Sequence, residues 1–307
     1  GNTKARGARA EIARATLEVI EKGHYVYSGK KVDIKETMNR AVEKTKLFAS
    51  NPSLSASLPT FKTEITVTLE TTLSALFRIA QTQPEPDSKL EDIDAKSLMT
   101  SSGSPPNVTP FVLNFASARN PGGGFEKGSQ AQEESLARAS GLYPCLITQM
   151  SSFYHPHRRS HDPFYSSKVI YSPSVPIFRD DDGKFLSKPV LASFGTTAAV
   201  NAGTVMRAID TKNTNIVQQA NKQIEKENHT RMRRVLSVAL ANGHQDLVLG
   251  AFGCGVFRNN PQDIAKIWKS LLNSAEFKNK FRRICFAIYD TSKSLSVLSA
   301  FLKELGE

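Results

Sequence analysis

The chain has 307 residues, 39% of them hydrophobic and 22% charged, the composition of a soluble globular protein long enough for one large domain with a sizeable core. No run approaches the roughly 18 uncharged apolar residues that a membrane-spanning helix needs, so a membrane partner is not expected. The net charge of +11 implies affinity for polyanions, but the basic residues are scattered and match no nucleic-acid-binding module, which argues against direct nucleic-acid binding.

Cysteine usage points the same way on compartment. Cys145, Cys254 and Cys285 are odd in number, widely spaced and without a CxxC pair. That argues against a disulfide framework and a structural zinc site, and suits an intracellular, reducing compartment, nuclear or cytoplasmic. The N-terminus lacks the apolar core of a signal peptide.

In chain order, residues 1 to about 50 read as mainly helical. Ile12, Thr16, Val19 and Ile20 fall near one helical face, and Gly23 marks a stop. HYVYSGKKVDI follows, with Tyr25 and Val26 in a short hairpin, and Ile34 to Phe48 resumes helical character. The segment 1–60 has too few large apolar residues for its own core, so it is expected to be a helical extension packed on a main domain spanning 61–307. Thr63–Leu69 reads as a strand, Ser74–Ile79 begins a helix, and Gln81–Asp94 is an acidic, proline-containing loop.

Phe111–Phe115 is a short apolar run that reads as a buried strand. Gly122, Gly123 and Gly124 then break regular structure. Three consecutive glycines are costly to order, and a backbone pressed against a ligand is a common reason to accept that cost. After a seven-residue spacer come Gln132, Glu133 and Glu134, opening the helix former run Ser135–Ala139. Two acids in a first helical turn favour the helix dipole without any further function. Directly after a glycine loop, they also supply what glycosidic-bond hydrolysis requires: an acid to protonate the leaving oxygen and a carboxylate to activate water.

Beyond the motif, His155, His157 and His161 lie with Arg158 and Arg159 in what reads as an irregular surface loop beside the cleft. The HxH spacing alone is weak support for a metal. Lys168–Ile177 is a β-type run broken by Pro173 and Pro176, and FRDDDGKFL, from Phe178, is an acidic turn between strands. Pro189–Phe194 is another apolar run, followed by GTTAAVNAGTV. Asn215–Ala241 reads as a helix whose Lys/Arg-rich part is a solvated face. Asp246–Phe257 is an apolar strand running into Gly250, Gly253 and Gly255, followed by a helix with Asn260 as cap and Pro261 near its first position. A strand, a glycine-rich turn and a helix place backbone N–H groups around a phosphate. Cys254 has no activating base nearby in sequence and reads as a small residue, not a nucleophile. Arg282–Asp290 is a last buried strand and Ser294–Leu305 a closing helix. Strands alternating with helices indicate an α/β/α sandwich with a parallel or mixed sheet, and both glycine loops fall at strand ends, where such sheets bind ligands.

GGG, seven residues and QEE, within LNFASARNPGGG…QAQEESLARASGLY, resembles the signature of poly(ADP-ribose) glycohydrolases, in the shorter bacterial and fungal branch. The resemblance runs from about Thr63 to the C-terminus and is densest over Asn114–Tyr143 and Gly250–Pro261. It implies a three-layer macrodomain-like α/β/α fold with a mixed sheet and an N-terminal helical extension. It also implies hydrolysis, mainly from chain ends, of the ribose–ribose O-glycosidic bond of poly(ADP-ribose), with ADP-ribose as product. By resemblance Glu134 is the general acid and then the base for water. Glu133 bonds ribose hydroxyls and Gln132 supports the loop. Asn120 and Gly122–Gly124 line the distal ribose and diphosphate, Asn201 and Gly203 border the cleft, and Gly253, Cys254, Gly255 and Val256 offer backbone donors. Phe257 packs on the nucleotide. No cofactor or metal is required. An ADP-ribose-binding module without turnover, and a hydrolase acting on singly ADP-ribosylated proteins, are the competing readings. A binding module has no use for two acids beside an anionic ligand.

Overall fold

The computed structural model describes residues 2–55, 57–82 and 109–306. The acidic, proline-containing segment expected at Gln81–Asp94 passes outside the described residues after Thr82.

The chain begins with α1 (Asn2–Lys22), the hairpin β1 (His24–Tyr27) and β2 (Lys30–Asp33), α2 (Lys35–Lys44) and β3 (Lys46–Phe48). It continues through β4 (Glu64–Thr68), α3 (Thr72–Gln81), β5 (Phe111–Phe115), α4 (Gln132–Ala139) and α5 (Leu142–Ile147). Then come α6 (His155–Ser160), β6 (Val169–Arg179), β7 (Phe185–Thr197), α7 (Ala202–Arg207) and α8 (Thr214–Ala241). The last elements are β8 (Asp246–Leu249), α9 (Pro261–Asn273), β9 (Arg283–Ala287) and α10 (Ser296–Leu305).

A seven-stranded sheet in the order β3-β6-β7-β5-β8-β9-β4 forms the middle layer. It is mixed: β7, β5, β8, β9 and β4 run parallel to one another, while β6 is antiparallel to β7 and to β3. β5 lies at the centre and is covered on both faces, which is why FVLNF is apolar without alternation. Phe111 and Leu113 point into one core with residues of α8, α9 and α10. Val112 points into the opposite core with residues of α3, α4 and α5. The expected macrodomain-like three-layer sandwich is therefore the observed architecture.

Four sequence expectations change. Lys46–Phe48 continues no helix but is an edge strand on β6, because Thr45, at ψ 129°, turns the chain into extended conformation. Pro173 and Pro176 do not break β6; the register shift between Ser172 and Val175 absorbs Pro173 as a bulge, and Pro176 stays in register opposite Leu191. Met150–Ser160 is not a loop but a π-helical turn running into α6. Arg231 and Arg234 leave the supposedly solvated face of α8. The Arg231 guanidinium is fully buried and donates to Ala198 O and Phe164 O, each at 2.8 Å, and Arg234 donates to Ser167 O at 2.6 Å.

Helix α1 is fastened to the sheet domain through polar contacts of its own. Arg6 Nε donates to Lys127 O at 2.9 Å and Arg9 Nε to Gly128 O at 2.8 Å. Buried Thr16 donates to Arg138 O at 2.6 Å and accepts from Arg179 Nε at 3.0 Å.

Candidate active site

The parallel strands β5, β8 and β9 end at one edge of the sheet. The chain leaves β5 towards β6 and β7 on one side and later returns to β8 on the other, so a crevice opens where the connections diverge. A cavity of about 950 Å³ occupies that edge. Its walls come from the end of β5, the length of α4, the loop after β8, the segment after β9, the β6–β7 turn and the inner side of α1.

Gln132 ties the motif helix to the strand before it. Its Oε1 accepts the Phe115 N–H at 2.8 Å, and its Nε2 donates to Leu113 O at 2.7 Å and Thr72 Oγ1 at 3.2 Å. The amide thus continues the β5 hydrogen-bonding edge and fixes where Glu133 and Glu134 begin.

Glu133 is 2% exposed. Its carboxylate accepts from Ser117 N–H at 2.6 Å, Gly122 N–H at 3.2 Å and the Asn114 amide at 3.3 Å. Burial pushes this carboxyl up to about 8, and those hydrogen bonds pull against it. Glu134 is half-buried, lines the cavity, and accepts the Gly124 N–H at 3.1 Å. Both acids stand in the first turn of α4, where the helix dipole favours negative charge.

The glycine triplet is shaped by these acids. Gly122 and Gly123 have φ of +71° and +61°, and a methyl on either would overlap Phe125 or the Glu134 carboxylate. The close approach that sequence reasoning assigned to a ligand is made by the protein's own acids, since Gly122 and Gly124 N–H both point at carboxylates. Asn120 is exposed, its side-chain oxygen accepting from Arg158 at 3.3 Å. His157 is buried, with Ala118 O at 3.1 Å on Nδ1 and Ser166 Oγ at 2.7 Å on Nε2. That imidazole pins the loop after β5. Among the described residues no group of three or more His, Cys, Asp or Glu is arranged to hold a metal ion.

The second glycine loop lines the other part of the same cavity, over Ala251–Phe257. Gly253, at φ +71°, lies so close to Asn259 that a Cβ would stand 2.6 Å from Asn259 Nδ2. The N–H groups of Gly253, Gly255, Val256 and Phe257 have no acceptor among the described residues, whereas the Cys254 N–H is turned inward to Ala251 O at 3.1 Å. Burial holds the Cys254 thiol up at about 12, far from a thiolate at neutral pH. Val256 is 85% exposed, and the half-buried Phe257 ring lies 5.7 Å from that of Tyr165. Asn201 caps α7 through the Thr204 N–H at 3.1 Å. Gly203 lines a separate cavity of about 470 Å³ beside Arg258, and so stands behind the Phe257 turn and outside the main cavity.

Sequence reasoning missed several residues here. Asn228 and Asn259 form a buried amide pair: Asn259 Nδ2 donates to Val200 O at 2.8 Å and Gly253 O at 2.9 Å, and its Oδ1 accepts from Asn228 at 2.8 Å. Tyr289, 67% exposed, lines the cavity directly after β9. Its position at the end of a parallel strand was a usable signal. Arg9, Arg138 and Arg179 line the part of the cavity formed by α1 and the β6–β7 turn, and no local motif announces them.

A family model described as "Microbial-type PARG, catalytic domain" matches residues 13–180. Among solved structures, the poly(ADP-ribose) glycohydrolase (PARG) of Thermomonospora curvata is 36% identical with a TM-score of 0.80, over 97% of this chain and 100% of that one. The same enzyme bound to the inhibitor ADP-HPD is 37% identical with a TM-score of 0.79, over 97% and 99% of the two chains. The Deinococcus radiodurans PARG in complex with ADP-ribose is 36% identical with a TM-score of 0.70, over 87% and 96%. A search of curated proteins gives no match. With a family model spanning the glycine–acid motif and solved relatives aligned over nearly the whole chain, this protein belongs to the microbial-type poly(ADP-ribose) glycohydrolase family.

Proposed function

We propose that the protein is a poly(ADP-ribose) glycohydrolase that cleaves ribose–ribose O-glycosidic bonds, mainly at chain ends, and releases ADP-ribose. The observation that carries the reading is the Glu134 carboxylate, held by Gly124 N–H at 3.1 Å in a cavity whose other wall is the Gly253–Phe257 loop.

In this reading the terminal ADP-ribose lays its diphosphate along the free N–H groups of Gly253, Gly255, Val256 and Phe257, with the Phe257 ring beside the nucleotide. Glu134 gives its proton to the ribose oxygen that leaves as the anomeric C–O bond breaks. The resulting carboxylate then takes a proton from the water whose oxygen bonds to the oxocarbenium-like carbon, and the acid is restored. Glu133 closes the loop under the sugar. Three of its roughly four acceptor positions hold Ser117, Gly122 and Asn114. The remaining one carries the proton that burial retains, which a ribose hydroxyl accepts. Gln132 fixes the helix register, and Asn120 with the triplet borders the ribose.

Purified poly(ADP-ribose) incubated with wild type and with Glu134→Gln tests this. Wild type releases free ADP-ribose; the variant binds ADP-ribose but loses about 10²–10⁴ in rate. Equal release by both removes Glu134 from the chemistry. Tight ADP-ribose binding without release by either leaves a binding module, and release only from singly modified proteins reassigns the linkage.

A further inference from the structure

The cavity continues past Glu134, away from the Gly253 loop. Contacts mark the route: Phe252 packs on Phe115 with ring centroids 6.0 Å apart, Gln132 bonds Phe115, and α4 then runs from Glu134 to Arg138, one turn on along the same face. Beyond Arg138 the wall is Arg9 and Ile12 of α1, with Arg179 at the base of the β6–β7 turn. These arginines form no ion pair among the described residues. Their contacts are to carbonyls and a hydroxyl: Arg9 Nε to Gly128 O, Arg138 Nη1 to Ser129 O at 2.6 Å, and Arg179 to Thr16 Oγ1 and Gly183 O. Arg179 is further committed to the Phe185 ring, 3.9 Å from its centroid. Arg9 is half-buried, and its terminal nitrogens have no partner among the described residues.

The aspartates of the same region are already engaged. Asp180 accepts Lys184 N–H at 2.8 Å, Asp181 accepts from Thr71 Oγ1 at 2.6 Å, and Asp182 lies 3.5 Å from Lys184 Nζ. Arg9 and Arg138 line one stretch of wall with no carboxylate bonded to either, so each opposes the other's charge. Burial first and the neighbouring Arg9 second push Arg138 down to about 10, against the opposing pull of Glu134. An anion placed between them relieves both costs.

We propose that Arg9, backed by Arg138, forms a leaving-side anion subsite that takes a phosphate of the chain beyond the scissile bond and so selects a polymeric over a single-unit substrate. The inference rests on the function proposed above, because it needs the released ADP-ribose on the Gly253 side of Glu134. It makes Arg9 a specificity-determining residue supplied by the N-terminal helix.

The test compares wild type, Arg9→Ala, Arg9→Lys and Arg6→Ala. Arg6 anchors α1 as Arg9 does, through Lys127 O, but does not line the cavity. The measurements are kcat/KM on poly(ADP-ribose) at two salt concentrations, ADP-ribose Kd by calorimetry, and melting temperature. Arg9→Ala is expected to lower kcat/KM on polymer about tenfold and flatten its salt dependence, as loss of a charge-assisted phosphate contact should. ADP-ribose Kd stays unchanged, the melting temperature falls no further than in Arg6→Ala, Arg9→Lys recovers part of the loss, and Arg6→Ala keeps the wild-type rate. An Arg9→Ala enzyme at the wild-type rate overturns the proposal. So does an equal loss in Arg6→Ala, which would mean anchoring alone, or a parallel weakening of ADP-ribose. If wild type releases nothing from polymer, the proposed function fails separately. The subsite is then judged by binding of a short poly(ADP-ribose) chain against ADP-ribose, and an unchanged ratio in Arg9→Ala overturns it.

Discussion

Gly123 and Glu134 are so closely apposed that no side chain fits between them: a methyl on Gly123 would overlap the Glu134 carboxylate, and Gly123 sits at φ +61°. The glycine triplet is thus the mould for the acid that follows it eleven residues later. Gly123→Ala should cost about 1–3 kcal/mol in backbone strain and displace the carboxylate. A displacement near 1 Å costs on the order of 10²-fold in rate. The expected result is ADP-ribose release reduced about 10²-fold, with a melting temperature a few degrees lower. Wild-type turnover in this variant would show that the close approach does not set the acid's position.

Glu133 makes a pH prediction. Burial raises its carboxyl from 4.5 to about 8 in the folded protein. Between those two values the folded chain therefore holds a proton that the unfolded chain has released. Stability contributed by this group is complete below about pH 4.5, falls as pH rises through the window, and is flat above about pH 8. Glu133→Gln cannot titrate and removes that slope. Urea midpoints of wild type should fall relative to the variant between about pH 4.5 and pH 8. The opposite trend would mean that the donors from Ser117, Gly122 and Asn114 outweigh burial and hold the carboxyl low.

Sequence patterning was most informative where one physical cause acted locally. The apolar run of Phe111–Phe115, the acids at Gln132–Glu134 and the cap at Asn260, whose side chain accepts from Gln262 N–H at 2.9 Å, each follow from burial or helix-end chemistry. Lys46–Phe48 was illegible because an edge strand of three residues has no period of its own and exists only through its pairing with β6. Arg231 was illegible for the opposite reason. An arginine in a basic stretch reads as solvated, and only the tertiary approach of Ala198 and Phe164 gives its guanidinium carbonyls to bond. The cavity's far wall could not be read at all, since Arg9 and Arg138 are brought together across 128 intervening residues.

Arg231 holds the segment after β7 that forms the wall beside the Gly253 loop. Burial lowers its guanidinium to about 10, yet its planar fork still spans Ala198 O and Phe164 O. Lysine keeps the charge but presents a single point donor and loses at least one of those contacts. Arg231→Lys should therefore lower stability by about 1–3 kcal/mol through an unsatisfied buried carbonyl. Amide exchange at Val200 should accelerate, while Glu134, on the other side of the cavity, keeps its surroundings. Unchanged stability and exchange would mean that one nitrogen serves both carbonyls.

Asn259 is the sharpest single-atom test of the second glycine loop. Its Nδ2 donates to Val200 O and Gly253 O while its Oδ1 accepts from Asn228. Asn259→Asp preserves shape and the acceptor but turns the shared donor into an oxygen facing two carbonyls at 2.8 and 2.9 Å. Each carbonyl keeps a backbone donor, Ala202 N–H on Val200 O and Asn259 N–H on Gly253 O, both at 3.0 Å. The cost of about 1–3 kcal/mol therefore comes from losing two side-chain bonds and setting an oxygen against two carbonyls. Burial should raise the new carboxyl, so acidification restores a proton that can bond one carbonyl but not both. The expected outcome is lower stability near neutral pH with partial recovery under acid. Because the strained Gly253 turn relaxes while the Gly124–Glu134 contact is untouched, ADP-ribose affinity and KM should suffer more than kcat. Calorimetric Kd and steady-state rates measure this directly. A kcat loss with unaltered affinity would place the control of the Gly253 loop in residues other than the Asn228–Asn259 pair.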